Sequence, residues 1–285
     1  MIDMRYHVIS LVAVFLALGI GILLGTTLVE RGLIAEQKSQ IKSLRKTFGE
    51  IKEKNKSLHA ELEAYQEFSD QARPYMTANR LAGRTLAVLS TDDLDDRVVG
   101  KVSEAVSGAG GSIPLTVILP DPALFDDAAV KESLSQLFQV PPQPALLKDR
   151  TYAEVVTQLK SGSNPAMLSE LARLGVIQIR GTFPGAVSAA ILIASKKSSD
   201  PKYLENADLP LARAMVAVAL PAVGVGGAET PEADLEGYKQ SGISTVDHVD
   251  TSPGQVAMVM VLEGRGGNYG SGKAAERMIP EPSGI

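Results

Sequence analysis

The chain has 285 residues, 45% of them hydrophobic, and a net charge of −5. It contains no cysteine, which excludes disulfides, thiolate catalysis and Cys-ligated metals. The acidic balance gives no support to a nucleic-acid surface spread over the whole molecule.

Residues 8–29, VISLVAVFLALGIGILLGTTLV, form an uncharged apolar run. At about 1.5 Å per residue a helix of this length reaches roughly 33 Å, enough to cross a hydrocarbon core of about 30 Å. The run exceeds the apolar core of about 7 to 15 residues in a signal peptide, and no small-x-small cleavage site precedes Glu30 and Arg31. The sequence therefore predicts an uncleaved single span within residues 1–31. Ala13, Ala17, Gly21 and Gly25 recur at every fourth position, which predicts a face where two helices approach closely in lipid. Residues 31–56 carry eight Lys and Arg against three Glu, and only Arg5 precedes the run. Charge alone then leaves the C-terminal part in the cytoplasm, although a long translocated domain weakens that rule.

Residues 32–74 read as a coiled-coil stalk. Ile34, Ile41, Phe48, Asn55 and Leu62 repeat every seven residues, with Leu44, Ile51, Leu58 and Tyr65 in the complementary positions. Asn55 among apolar a positions favours a parallel pair of chains, because the buried amide is satisfied by its own copy across the seam. Gly49 and the basic flank Lys38, Arg45, Lys52 and Lys54 weaken the pairing. A single amphipathic helix folded back on the rest of the chain is the alternative. Arg73 and Pro74 are expected to end the stalk, since proline disfavours helical geometry in the residue before it.

From residue 75 to 264 short apolar runs alternate with helical patterns. Strands are expected at 84–90, 112–119, 175–180, 186–195 and 222–227, and helices at 94–107, 126–138, 151–160, 165–174, 208–219 and 254–263. Alternation with continuously apolar strands predicts a three-layer, mostly parallel, Rossmann-like α/β domain. PPQP at 141–144 reads as a loop, and residues 265–285 as a flexible tail.

The chemistry on offer is sparse, and no catalytic residue is expected. Asp92 and Asp93, in the TDDLDD turn after the first expected strand, are candidate oxygen ligands for a divalent cation, but this acidic run equally caps the following helix. His248, between Asp247 and Asp250, is a candidate ligand or acid/base, or simply part of a capping loop before Pro253. None of GAGG (108–111), GVGG (224–227) or GRGG (264–267) is a phosphate-binding fingerprint, and Met258 and Met260 read as core residues.

Four stretches together resemble the MctB/SteB family, known as copper transporters. They are DMRYHVISLVAVFLALGIGILLG at the start, the heptad stalk directly after it, GISTVDHVDTSPGQVAMVMVLEG, and NYGSG near the end. The resemblance implies a single-span envelope protein with an extracytoplasmic α/β domain on a dimeric coiled coil. It also implies either copper handling at the envelope or regulation of cell-wall cleavage with a SteA-like membrane partner. The residues supply no cofactor site, so copper enters through the family label alone. The expected partners are the lipid bilayer, a second copy of the chain and an envelope protein.

Overall fold

The structure is a computed structural model that describes residues 4–281; the side chains of residues 26–36, 198 and 199 lie outside the described set. The chain divides into two compact units, Met1–Tyr65 and Gln66–Ile285. Helix α1 (Met4–Thr77) supplies the first unit and the opening element of the second. Its segment Met4–Gly25 is long and apolar enough to cross a membrane, and none of it is buried.

In the second unit α1 runs past Pro74, which was expected to stop it and instead lies inside its final turns. Tertiary contacts outweigh the local penalty. Arg73 donates at 2.6 Å to Gln255 Oε1 and at 2.6 Å to Glu104 Oε1, Ser252 Oγ donates to Asp70, and Thr77 Oγ1 donates to the Arg73 carbonyl at 2.9 Å. The Arg73 contact also holds the Glu104 carboxyl below its ordinary range, with Lys101 adding to the effect.

The rest of the unit is built on β1 (Thr85–Ser90), α2 (Asp96–Gly108), β2 (Ser112–Ile118), α3 (Ala128–Phe138), α4 (Pro144–Ser161), α5 (Pro165–Arg173), β3 (Gln178–Gly181) and β4 (Ala189–Ile193). There follow α6 (Pro201–Tyr203), a π-helical turn (Leu204–Asp208), α7 (Leu209–Ala217), β5 (Ala222–Val225), α8 (Glu232–Gln240), β6 (Ser244–Val246), α9 (Ser252–Glu263) and β7 (Asn268–Tyr269). The strands form one seven-stranded sheet in the order β3-β2-β1-β4-β5-β6-β7, parallel except where β2 meets β3. The fold is the expected mostly parallel α/β sheet behind an apolar N-terminal helix.

Alternate residues of each central strand feed opposite faces, as the pleat requires. Ala87, Leu89, Ala190 and Leu192 join the core built with α4, α5, α7 and α8, whereas Leu86, Val88, Ile191 and Ile193 join the one built with α2 and α9. Helices cover both faces, which is why these strands read as continuous apolar runs. Two expectations are corrected. Pro144 of the PPQP loop opens α4, since a proline at the first helical position gives up no hydrogen bond. The segment from 265 onward, expected to be a tail outside the domain, supplies β7, which pairs with β6 through Thr245↔Asn268 and Val246↔Tyr269.

Candidate functional site

The strand order reverses between β1 and β4, and in open α/β sheets this is where ligands gather beyond the carboxyl ends of the strands. Asp92 follows β1, Asp121 follows β2 and Lys197 follows β4. Lys197 Nζ lies 3.4 Å from Asp92 and 3.2 Å from Asp121, and 5.6 Å from the centroid of the Tyr203 ring. The Asp121 carboxyl is held below its ordinary range, first by the Ala123 backbone N–H and then by Lys197. The remaining acids of the expected cluster do not converge. Asp93 is exposed, and Asp95 caps α2 by accepting from the Arg97 N–H at 2.9 Å. The run serves mainly as a helix start, as the dipole favours.

Beneath this surface lies a polar cluster that the sequence did not single out. Asp208, the last residue of the π-helical turn, accepts hydrogen bonds from Thr91 Oγ1, from Tyr238 OH at 2.6 Å and from the Ser195 N–H at 3.4 Å. Tyr203 OH donates to the Thr91 carbonyl at 2.5 Å. Burial is the first cause pushing both the Asp208 carboxyl and the Tyr238 hydroxyl above their ordinary ranges. Thr91 was visible as a turn residue, but Asp208 sits alone in NADLPLAR. Its one signal is an acid at the head of an apolar helical pattern. Beside the cluster an open cleft of about 280 Å³ is lined by Asp95, Arg97, Ser195, Lys196, Gly227 and Glu229, among others.

His248 belongs to a different structure, at the end of β6. Asp247 Oδ1 accepts from the Ser271 N–H at 2.8 Å and Oδ2 from the Gly272 N–H at 2.5 Å. The carboxylate thus binds the turn after β7 to the end of β6. His248, at φ +46°, brings Nδ1 within 3.2 Å of Asp247 Oδ1 and 3.4 Å of Ser271 Oγ. Both contacts fall on the same ring nitrogen. A Ser-His-Asp relay needs the two partners on opposite nitrogens, so this arrangement cannot pass a proton along that path.

Asp92 and His248 stand beyond strands separated by β4 and β5, on the order of 14 Å across the sheet at about 4.8 Å per strand. The structure therefore does not bring the three candidate ligands Asp92, Asp93 and His248 together. Among the described residues no group of three or more His, Asp or Glu is placed to hold a metal ion. Met258 and Met260 are buried in the core against α2 and β5 or at its margin.

The first unit holds the residues expected to form a coiled-coil seam and a span face. In the stalk, Ile41, Leu44, Phe48, Ile51, Leu58, Leu62 and Tyr65 are 49–69% exposed, and Asn55 between them is exposed as well. The side chain of Ile34 lies outside the described residues. In the span, a Cβ added at Gly21 or Gly25 would meet nothing within 4 Å. Packing within the chain thus gives no reason for glycine at either position. Ala13 and Ala17 are exposed on the same helix.

The chain resembles the copper transporter MctB of Mycobacterium tuberculosis at 26% identity, covering 96% of this chain and 98% of that protein. The Mycobacterium leprae protein of the same description is 28% identical over the same shares. A crystal structure of a mitochondrial ornithine carbamoyltransferase from Coccidioides immitis overlays 65% of this chain and 62% of its own at 13% identity. Its TM-score is 0.21. The family model described as "Copper transport outer membrane protein, MctB" matches residues 1–280, and the chain belongs to that family.

Proposed function

We propose that this protein is a non-enzymatic, single-span envelope scaffold that works as a parallel dimer. The span faces at Ala13, Ala17, Gly21 and Gly25 meet in the bilayer, and the stalk seam from Ile34 to Tyr65 zips outside it. The α/β domains are carried on the extracytoplasmic side, where they present a surface to an envelope partner of the SteA-like kind that governs cell-wall cleavage.

The carrying observation is the stalk seam: seven apolar residues at a and d spacing are 49–69% exposed in a single chain. Two such stripes bury one another when wound together, at about 25 cal/mol per Å2 of apolar surface removed from water. Asn55→Cys tests it directly. Oxidation in native membranes is expected to give a disulfide-linked dimer, and its absence would remove the basis for a parallel pair. The family description favours a second reading, copper binding or export at the envelope. Calorimetry of the full-length protein with Cu(I) and with Cu(II) separates the two, because the scaffold reading expects no saturable site. A hydrolase or transferase using Asp92, Asp93 or His248 would call for an acidic pocket at the strand ends; against it, Asp93 is exposed, Asp92 pairs with Lys197, and His248 lies beyond a different strand.

A further inference from the structure

The start of α2 and the carboxyl ends of β4 and β5 enclose the open cleft of about 280 Å³, which the proposed pairing of chains does not use. Ligand pockets run from about 300 Å³ upward, so this one suits a small molecule. Its floor is aliphatic, with Val98 and Ile193 buried and Ala194 and Pro231 half-buried. One wall is bare backbone. GVGG (224–227) carries the chain out of β5, and its last two positions are held to glycine by close approach. A Cβ on Gly226 would lie 2.7 Å from the Thr230 side chain, and one on Gly227 3.1 Å from Val98 Cγ2. The Thr230 N–H donates to the Gly227 carbonyl at 3.1 Å and closes a turn. Gly227 is buried, yet its own N–H donates to no acceptor among the described residues. A buried open donor calls for an acceptor from outside the chain.

The rim of the cleft carries both signs of charge. The Lys196 ammonium is exposed and has no partner among the described residues. Arg97 Nη2 lies 3.8 Å from Glu229 Oε1, a loose pair whose side chains are 57% and 86% exposed. Asp95 spends one carboxylate oxygen on the Arg97 N–H at 2.9 Å, and the other has no donor among the described residues. Two cations and two carboxylates leave the lining without net charge. A lone anion would therefore meet repulsion as readily as attraction, whereas a molecule bearing both signs finds a partner for each.

We propose that this cleft binds a free aliphatic α-amino acid. The ligand's carboxylate lies against the Lys196 ammonium, the Arg97 guanidinium and the Gly227 N–H, its ammonium against Asp95 and Glu229, and its side chain on the aliphatic floor. The site is built within one chain, so it holds or fails independently of the pairing of copies.

Hydrogen exchange on the full-length protein in detergent micelles tests it, with L- and D-leucine as probes. Leucinamide, which lacks the carboxylate, and 4-methylpentanoate, which lacks the ammonium, are the controls. At least one hand of leucine is expected to slow exchange saturably at residues 193–197 and 226–231, half-saturating below about 10 mM, and each control to need at least about tenfold more. Lys196→Met should raise the half-saturating concentration of leucine about tenfold. Glu229→Gln should raise it about threefold, because the ligand's ammonium loses a partner; a site for a plain anion would bind more tightly in that variant. Lys196 has no partner to lose and Glu229 only a loose one, so both variants keep the fold, which an unchanged melting temperature checks. No saturable slowing by either hand, a control that matches leucine, an unchanged midpoint in Lys196→Met, or a Glu229→Gln midpoint that stays or falls overturns the amino-acid site.

Discussion

Gly270 and Asp247 occupy one another's space: the carboxylate at the end of β6 lies where a side chain at position 270 would begin. Gly272 is similarly confined, since a Cβ there would sit 2.7 Å from Asp247 Oδ2. Two stretches that look unrelated in the sequence, VDHVD and NYGSG, are thereby one structure.

Gly270→Ala must therefore displace the carboxylate and adopt φ +134° with a side chain. The expected loss is on the order of 3 kcal/mol or more, read as a lower melting temperature by circular dichroism. Gly100→Ala is the contrasting case. It lies inside α2 with nothing within 4 Å of the added carbon, so a gain of up to about 1 kcal/mol is expected.

Thr251 caps α9, its hydroxyl accepting from the Gly254 N–H at 3.4 Å. Thr251→Ala should cost about 1 kcal/mol in urea unfolding, without changing the slope against denaturant.

Arg73 and Glu104 give a pH test. The Glu104 carboxyl is lowered from its ordinary 4.5, so the pair contributes above that value and the contribution is lost as pH falls through the folded value. The Glu104 side chain is 47% exposed, which keeps the effect below about 1 kcal/mol. Melting temperatures from about pH 7 down to about pH 3 should converge for wild type and Glu104→Gln at the acid end.

The stalk yields a test of partner number. Asn55→Leu is expected to raise the thermal stability of the assembled coil while relaxing its preference for two strands, seen as higher species by light scattering in detergent. Replacing Gly21 and Gly25 by Leu should lower the yield of the Asn55→Cys crosslink, because the span helices can no longer approach closely.

Much of this fold was legible because covered strands must be apolar on both faces. LAVL, PLTVI and AAILI declared themselves in that way, and α2 showed through the spacing of Val98, Val102 and Val106. What escaped was short or held together by distant contacts. β6 and β7 have three and two residues, too few for a period. α8 is a nine-residue helix whose polar sequence EADLEGYKQ hides its apolar face. Pro74 sits within α1 because Gln255 and Glu104, far along the chain, hold Arg73. Asp208 escaped for a similar reason, as its partners Thr91, Ser195 and Tyr238 come from three separate connections.

The two borders of the sheet are β3, of four residues, and β7, of two. A foreign strand adding to either would find only a few open backbone groups, which blunts polymerisation by sheet extension. Sheet extension through backbone pairing is thus discouraged at both ends of the ladder, and at β7 the chain itself covers part of the border, with the Glu276 N–H donating to the Asn268 carbonyl and the Gly270 N–H to the Arg277 carbonyl.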